Sequence, residues 1–357
     1  MENFKDYYLQ LKNEKNLLKY AAFFILIFVL IFSVGYFCSA LFPVSGTSDV
    51  KEIEIKANEG FRQISGELER AGIIRSAFAF QILSLLSGSA HELKPGDYFL
   101  SPSLSAPYIL EAIVAGLDME REIVIPPGFT LLDIDKRLSD AGILSPGDLA
   151  GFDPETVKKN YEFLNGLKSP IKLEGYLFPD TYRFFIRSKA GDVVKKFLDN
   201  FNIKAWPTLK GKTITIGKES LSPQKIIIVA SLIEKEVYFD EDRPVVAGII
   251  YNRLKIGMAL QIDATVTYAK CGGLIFYCND PVVLKNETKY DSPYNTYLFA
   301  GLPPGSIGNP GSKSIEAALD PQPSDYFYYI SDPKTHKIIP SKTLEEQNNN
   351  RAKYLGI

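Results

Sequence analysis

Histidine and cysteine are scarce in this chain of 357 residues, and their scarcity excludes several kinds of active site. His91 and His336 are the only histidines, and neither falls in a Cys/His spacing typical of a metal site. Neither lies in a recognisable Ser/His/Asp context, which disfavours a triad hydrolase. We therefore expect chemistry that uses no metal ion and no catalytic histidine.

A strong net charge is also missing. The 40 Lys and Arg residues nearly balance the 42 Asp and Glu residues, which leaves a formal net charge of -2. Nucleic-acid binding requires a basic surface, so nucleic acid is not an expected partner. The content of 46% hydrophobic and 23% charged residues is typical of a folded protein with room for two or three domains.

One apolar run departs from this average composition. Residues 21–42 are 22 consecutive positions without a charge, rich in Phe, Ile, Leu and Val. At about 1.5 Å per residue, a helix of this length measures roughly 33 Å and can cross a bilayer core of about 30 Å. A cleaved signal peptide has a shorter apolar core and a small-residue cleavage site. The run predicts an uncleaved single-pass transmembrane helix, with a signal peptide or a buried helix as the alternatives.

Lysines are distributed unevenly around this run. Residues 1–20 contain four lysines and three acidic residues, whereas residues 43–60 contain two lysines and four acidic residues. Because positive charge stays on the cytoplasmic side, residues 1–20 are predicted to be a cytoplasmic tail. Residues 43–357 would then lie outside the cell (inner) membrane, in the periplasm or another extracytoplasmic space. Nucleotide cofactors are absent there, so no cofactor is expected.

Only two cysteines fall in the part predicted to be exported. Cys271 and Cys278 are separated by six residues. In an oxidising compartment such a pair can close a short loop. Two reduced cysteines are the alternative, and the sequence leaves both open.

A short pattern recurs at an offset of 70 residues. Residues 53–55 recur at 123–125, and Ile64 and Leu68 recur as Ile134 and Leu138. Each copy reads as a short strand, a turn and an amphipathic helix ended by glycine. The pattern predicts two small strand-helix modules, although any two such units look alike at this level.

The helix predicted to begin at Pro223 contains the candidate catalytic residue. At about 100° per residue, Glu236 falls in the centre of its apolar stripe, whereas Glu234 projects to another side. A carboxyl on an apolar stripe has a raised pKa because it is desolvated, as a general acid near neutral pH requires. A glutamate held by an arginine such as Arg253 is the alternative.

The segments after this helix are rich in side chains that bind sugars. Amides, phenols and carboxylates hydrogen-bond sugar hydroxyls, and aromatic faces cover pyranose rings. The candidates for substrate contact are Asn252, Arg253, Gln261, Asp263, Tyr294, Asn295 and Tyr297.

At these residues the sequence resembles a known family, the MltG (YceG-like) endolytic murein transglycosylases. The matching segments follow one order over about 140 residues: 174–182, 230–236, 251–254, 257–261, 294–297, 301–305 and 309–311. By position, the catalytic glutamate of the family falls on Glu236. The same segments add Glu174, Tyr182 and Glu234 as candidate substrate contacts. The chain departs from the family at Ile262 and Ala264, where threonine and proline are usual, and at Gln347, where histidine is common.

The resemblance implies a membrane-anchored enzyme that cleaves nascent peptidoglycan glycan strands between N-acetylmuramic acid and N-acetylglucosamine. The cut leaves 1,6-anhydromuramyl ends and would terminate strand elongation. It also implies a LysM-like module after the anchor and an association with peptidoglycan synthases. One glutamate suffices for this reaction, since it can protonate the leaving oxygen and then accept the proton of the attacking C6 hydroxyl.

Two other functions remain open. A glycan hydrolase needs a second carboxylate, for which Asp263 or Glu174 could serve. A noncatalytic glycan-binding scaffold of the wall-synthesis machinery would need no acid at all.

The predicted fold class is α+β. The predicted domains are a tail (1–20), a transmembrane helix (21–42), a LysM-like module (43–120), a second strand-helix module or linker (121–172) and a mixed α+β catalytic domain (173–357).

Overall fold

The computed structural model describes residues 24–46, 50–56, 58–116, 120–169, 172–284 and 286–356. By its contacts the chain forms two compact units, residues 1–120 and residues 121–357. The mixture of helices and short strands agrees with the predicted α+β class. The predicted cytoplasmic tail lies outside the described residues.

The first described element is a helix, α1, over residues 24–40. Most of its large apolar side chains are more than half exposed, as for Phe28 and Phe32. The predicted span starts at residue 21, and residues 21–23 lie outside the described part of the chain. Among the helices that are described, none meets the length and apolarity needed to cross a membrane.

The rest of the first unit is a two-stranded sheet with three helices. Its elements are β1 (Lys51–Ile55), α2 (Phe61–Arg70), α3 (Ala77–Leu86), β2 (Gly96–Leu100) and α4 (Ala106–Ala115). β1 and β2 pair antiparallel, with Ile53 opposite Tyr98. Ile64 and Leu68 face inward from α2 and are buried with Phe80 of α3. The apolar positions at helical spacing therefore form the core, as amphipathic helices require.

The second unit begins with the second copy of the repeat. It comprises β3 (Glu120–Ile125) and α5 (Leu131–Asp140). Ile134 and Leu138 are fully buried, like their counterparts in α2. Thr130 and Asp133 form a capping box that fixes the start of α5. Both predicted strand-helix units are thus present.

The predicted boundary at residues 172 and 173 does not divide the structure. β4 (Asp180–Phe185), which lies beyond this boundary, pairs with β3, which lies before it. One hydrophobic core extends from Ile123 to Ile338. Residues 121–172 and 173–357 therefore form one unit, because each side of the predicted boundary supplies one strand of a shared sheet.

The remaining elements of this unit surround one central helix. They are α6 (Ala190–Lys204), α7 (Trp206–Leu209), β5 (Ile214–Ile216), β6 (Glu219–Leu221), α8 (Pro223–Glu236), α9 (Arg243–Lys255), α10 (Asp263–Lys270), α11 (Ser312–Leu319), β7 (Tyr328–Ser331), β8 (Ile338–Ser341) and α12 (Leu344–Leu355). β5 pairs with β6 and β7 pairs with β8, both antiparallel. α8 contacts α9, α10 and α11. Its start at Pro223 agrees with the prediction, and Ser222 occupies the N-cap position without a capping hydrogen bond from its side chain.

Candidate active site

A cavity of about 530 Å³ opens at the C-terminal end of α8. Its walls come from the end of α8, the loop before α10, β7 and the inner side of α12. The residues lining it are Glu236, Arg253, Gln261, Asp263, Tyr297, Tyr328, Tyr329, Ile330, Ser331, Leu344, Gln347, Arg351 and Leu355. Five of the eleven residues predicted for the site meet here: Glu236, Arg253, Gln261, Asp263 and Tyr297.

Glu236 is the last residue of α8, and its carboxyl faces this cavity. The Tyr329 hydroxyl donates a hydrogen bond of 2.8 Å to Glu236 Oε2. The pKa of the Glu236 carboxyl is raised to about 7, chiefly by burial and also by the charge of Asp263, against the lowering effects of the Tyr329 and Ala264 hydrogen bonds and of the Arg253 charge. The carboxyl can therefore carry a transferable proton at neutral pH, as the apolar stripe predicted.

Arg253 lies in the same cavity but is not a salt-bridge partner of Glu236. Within the described residues, Glu236 forms no salt bridge with any lysine or arginine. The Arg253 guanidinium donates instead to the carbonyls of Phe327 and Leu260, both at 2.5 Å, and lies over the Tyr328 ring. Arg253 thus joins the start of β7 to the loop before α10, and it acts on Glu236 through its charge, which lowers the pKa of the carboxyl, rather than through a salt bridge.

Asp263 and Tyr297 form the opposite wall of the cavity. The Tyr297 hydroxyl donates a short hydrogen bond of 2.6 Å to Asp263 Oδ1, and Asp263 is the first residue of α10. Just before it, Gln261 has a φ of 50°, which is uncommon for a residue other than glycine. Such backbone strain is typically kept where it positions a functional side chain.

Glu234 points away from this cavity. Its carboxylate accepts hydrogen bonds from Arg243 Nη1 at 3.0 Å and from the backbone N–H of Gly311 at 2.9 Å. Only 7% of the Glu234 side chain is exposed. The predicted substrate contact is therefore not available to Glu234, because its carboxylate already has a charged partner and anchors the start of α11.

Three other predicted contacts also have structural roles. The Tyr182 hydroxyl donates to the carbonyl of Phe178, and Tyr182 is buried in the core. The Asn252 amide donates to the backbone carbonyls of residues 324 and 326, which holds the segment before β7. The Asn295 side chain is fully buried and bonds only backbone groups in the contacts described. Since these polar atoms are already paired inside the protein, they are not free to bind a sugar.

Glu174 and Tyr294 line a different cavity of about 460 Å³. The Glu174 carboxylate accepts from the backbone N–H of Leu131, from Tyr268 Oη and from Asn309 Nδ2. Burial raises the pKa of Glu174 to about 8, although the Leu131 hydrogen bond opposes this. Glu174 is therefore not the second carboxylate of the Glu236 cavity.

Asn309 joins three distant segments of the chain around residues 129, 175 and 309. Its side-chain carbonyl accepts from the N–H groups of Gly175 and Leu177, at 2.9 and 2.8 Å. Its amide donates to the carbonyl of Phe129. Gly175 has a φ of 95°, and a Cβ there would lie 2.5 Å from Ser306 Oγ, so only glycine fits.

Sequence reasoning missed most of the β7 and α12 side of the cavity. Tyr328 and Tyr329 both lie on β7 and line the cavity, but neither was among the predicted site residues. The Gln347 amide donates to the Tyr329 carbonyl at 2.8 Å and so supports the strand next to Glu236. Gln347 stands where the resemblance placed a histidine, and this departure was the signal in the sequence that pointed to the α12 side of the cavity.

Cys271 and Cys278 form a disulfide, with their Cα atoms 5.8 Å apart. The loop it closes lies against the start of α5, since the Phe276 N–H donates to Asp133 and the Phe276 ring contacts the Phe129 ring at a tilt of 40°. The bonded alternative is therefore the one observed. Elsewhere, the described residues contain no group of three or more His, Cys, Asp and Glu side chains placed to hold a metal ion.

Residues 53–353 match the YceG-like family. This chain belongs to that family. It is 32% identical to the endolytic murein transglycosylase of Bacillus subtilis (strain 168), with 89% of each chain covered. It is 28% identical to the protein of the same name from Streptococcus pneumoniae serotype 2 (strain D39), and the match covers 93% of this chain but 64% of that one.

A solved structure gives the same assignment. The crystal structure of a yceG-like protein from Listeria monocytogenes superposes with a TM-score of 0.52 at 32% identity. The superposition covers 85% of this chain and 99% of that chain.

Proposed function

We propose that this YceG-like protein is an endolytic murein transglycosylase and that Glu236 is its catalytic acid and base. The observation that carries the proposal is a carboxyl with a pKa of about 7 at the end of α8, open to a cavity and held by a neutral hydroxyl. The curated relatives of that name support the same reaction.

The reaction requires one proton to move twice. The Glu236 carboxyl donates its proton to the oxygen between N-acetylmuramic acid and N-acetylglucosamine, and the bond from C1 to that oxygen breaks. The muramyl C6 hydroxyl then attacks C1, and its proton passes to the Glu236 carboxylate. The products are a 1,6-anhydromuramyl end and a free 4-hydroxyl on the other fragment, so the enzyme returns to its protonated state.

The neighbouring side chains assist this step by charge and position. The Asp263 carboxylate lines the same cavity and favours the positive charge that develops at C1. Tyr297, Tyr328 and Gln261 offer rings and an amide to the flanking sugars. Arg253 keeps both walls of the cavity in place through its two backbone contacts.

Asp263 also supports one competing function, that of a glycan hydrolase. A glycan hydrolase needs a second carboxylate to activate water or to act as a nucleophile, and Asp263 is an acidic residue in the right cavity. Digestion of purified peptidoglycan with residues 43–357 separates the two reactions by the mass of the product ends. Anhydro ends support the transglycosylase, whereas reducing ends would replace it with a hydrolase, and the absence of new ends would favour a noncatalytic scaffold.

The proposal includes a membrane anchor formed by residues 21–42 and a LysM-like glycan-binding module in residues 43–120. The exposed apolar side chains of α1 support the anchor, and the strand-helix-helix-strand order from β1 to β2 supports the module. If the tail lies in the cytoplasm, a reporter that is active only outside the cytoplasm should work when fused after residue 357. Activity of a cytoplasm-only reporter would refute this orientation. A location beside the peptidoglycan synthases, where strand elongation is terminated, completes the proposal.

A further inference from the structure

The second cavity lies at the opposite end of α8 from Glu236. Ser222, Gln224 and Lys225, at the N-terminus of the helix, line it. Twelve residues separate Gln224 from Glu236, so at about 1.5 Å per residue the two ends of the helix are roughly 18 Å apart. The two cavities therefore lie within the length of one helix of each other.

The charge of this cavity favours an anion. Lys168, Lys172 and Lys225 line it, and the one carboxyl in its lining is that of Glu174. Lys225 is paired with Glu219, whereas no salt bridge of Lys168 or Lys172 is found among the described residues. Because burial raises the pKa of Glu174 to about 8, this carboxyl is mostly uncharged at neutral pH.

The start of α8 adds to this positive potential. Helix N-termini carry a partial positive charge and offer backbone N–H groups to anions. α8 has 14 residues, and its N-cap residue Ser222 lies in the cavity wall. The lysines and the helix terminus thus both favour an anionic ligand.

The remaining walls suit a peptide better than an isolated inorganic anion. Ser169 and Ser222 offer hydroxyl groups, Gln224 offers an amide whose N–H group also reaches the Phe163 carbonyl at 3.4 Å, and Leu167 and Ile228 offer small apolar surfaces. Side-chain amides and hydroxyls pair with peptide N–H and C=O groups, and the apolar surfaces accommodate methyl groups. A short peptide with free carboxylates uses all of these features.

We propose that the cavity at the N-terminal end of α8 binds the carboxylate-bearing stem peptide of the same glycan strand that enters the Glu236 cavity. The proposal rests on the proposed function, because the peptide comes with the peptidoglycan substrate. It makes this cavity a determinant of which strands are held for cleavage.

The test is a binding experiment on the full chain that carries Glu236→Gln, so that turnover does not interfere. The double substitution Lys168→Gln and Lys172→Gln is compared with Lys189→Gln and Lys195→Gln, a matched pair of exposed lysines that lies outside both cavities. The ligands are glycan strands with their stem peptides and the same strands after an amidase has removed the peptides. Inorganic phosphate is the competitor.

We expect the Lys168 and Lys172 substitutions to weaken binding of peptide-bearing strands by about tenfold, as the loss of two exposed ion pairs implies. Binding of stripped strands should not change, and the control pair should match the parent on both ligands. An equal loss on both strands, or no loss on either, would overturn the proposal. Displacement of peptide-bearing strands by millimolar phosphate would make the cavity a phosphate site instead. Cleavage by the wild-type chain is scored separately, so failure of the proposed reaction is distinguishable from failure of peptide binding.

Discussion

Replacing Glu236 with glutamine should abolish cleavage and stabilise the fold at the same time. Glutamine keeps the size of the side chain and can still accept the Tyr329 hydrogen bond, but it has no proton to transfer. Loss of a general acid and base reduces turnover by about 10²- to 10⁴-fold. A substitution that merely disturbed the structure would lower stability instead.

The stability gain follows from the raised pKa. A carboxyl whose pKa rises from 4.5 to about 7 on folding makes its ionised form about 3 kcal/mol less favourable in the fold than in the unfolded chain. Below pH 4.5 the neutral carboxyl makes its full contribution to the stability of the wild-type protein. This contribution is lost as the pH rises from 4.5 through about 7. Glutamine never ionises, so the variant should exceed the wild type by about 1 kcal/mol at pH 5 and about 3 kcal/mol at pH 8.

Denaturant titrations of both proteins at pH 5 and pH 8 measure this difference. The activity of the wild type should depend on the same ionisation of Glu236. Because the protonated carboxyl starts the reaction, kcat/KM should fall about tenfold per pH unit above pH 7. A glutamine variant that is less stable than the wild type at pH 8, or that gains equally at both pH values, would refute the assignment of a desolvated carboxyl at this position.

Three further substitutions test the surroundings of Glu236. Glu234→Gln should retain cleavage per folded molecule but lose about 1 to 3 kcal/mol of stability, which a melting curve measures. The loss is expected because the poorly exposed Arg243 no longer has a charged partner on α8. Tyr329→Phe should move the alkaline limb of the activity profile to higher pH, because the lost hydrogen bond favours the ionised carboxylate; an unchanged limb would count against it. Replacing both Cys271 and Cys278 with serine should lower stability by about 2 to 3 kcal/mol in nonreducing solution, with cleavage retained at temperatures where the variant is folded.

Helical periodicity was sufficient to identify the main features of α8. The stripe places Glu236 with the apolar residues, and desolvation is indeed the largest cause of its raised pKa. The helix start at Pro223 and the two strand-helix units followed from equally local signals. Such features could be predicted because they depend on residues within a few turns of one another.

The partners of polar side chains could not be predicted in the same way. Asn252 and Asn295 have the chemistry of sugar ligands, yet their amides bond backbone carbonyls of other segments. Tyr329 was not assigned a function, because it lies 93 residues along the chain from the carboxyl that it contacts. Residue type predicts what a group can bind, whereas only the fold determines whether a buried group is already satisfied.

The choice between the two glutamates depends on this distinction. Residues two apart on a helix point about 200° away from each other, so Glu234 and Glu236 meet different surroundings. Glu234 accepts hydrogen bonds from the Arg243 guanidinium and from the backbone N–H of Gly311, and these hold its carboxylate away from the cavity. Glu236 lies in a desolvated site beside the charge of Asp263, and these two effects outweigh the Tyr329 and Ala264 hydrogen bonds and the charge of Arg253, which lower its pKa. The carboxyl that faces the cavity is therefore also the one whose pKa of about 7 lets it donate and accept a proton near neutral pH, and a general acid requires both conditions.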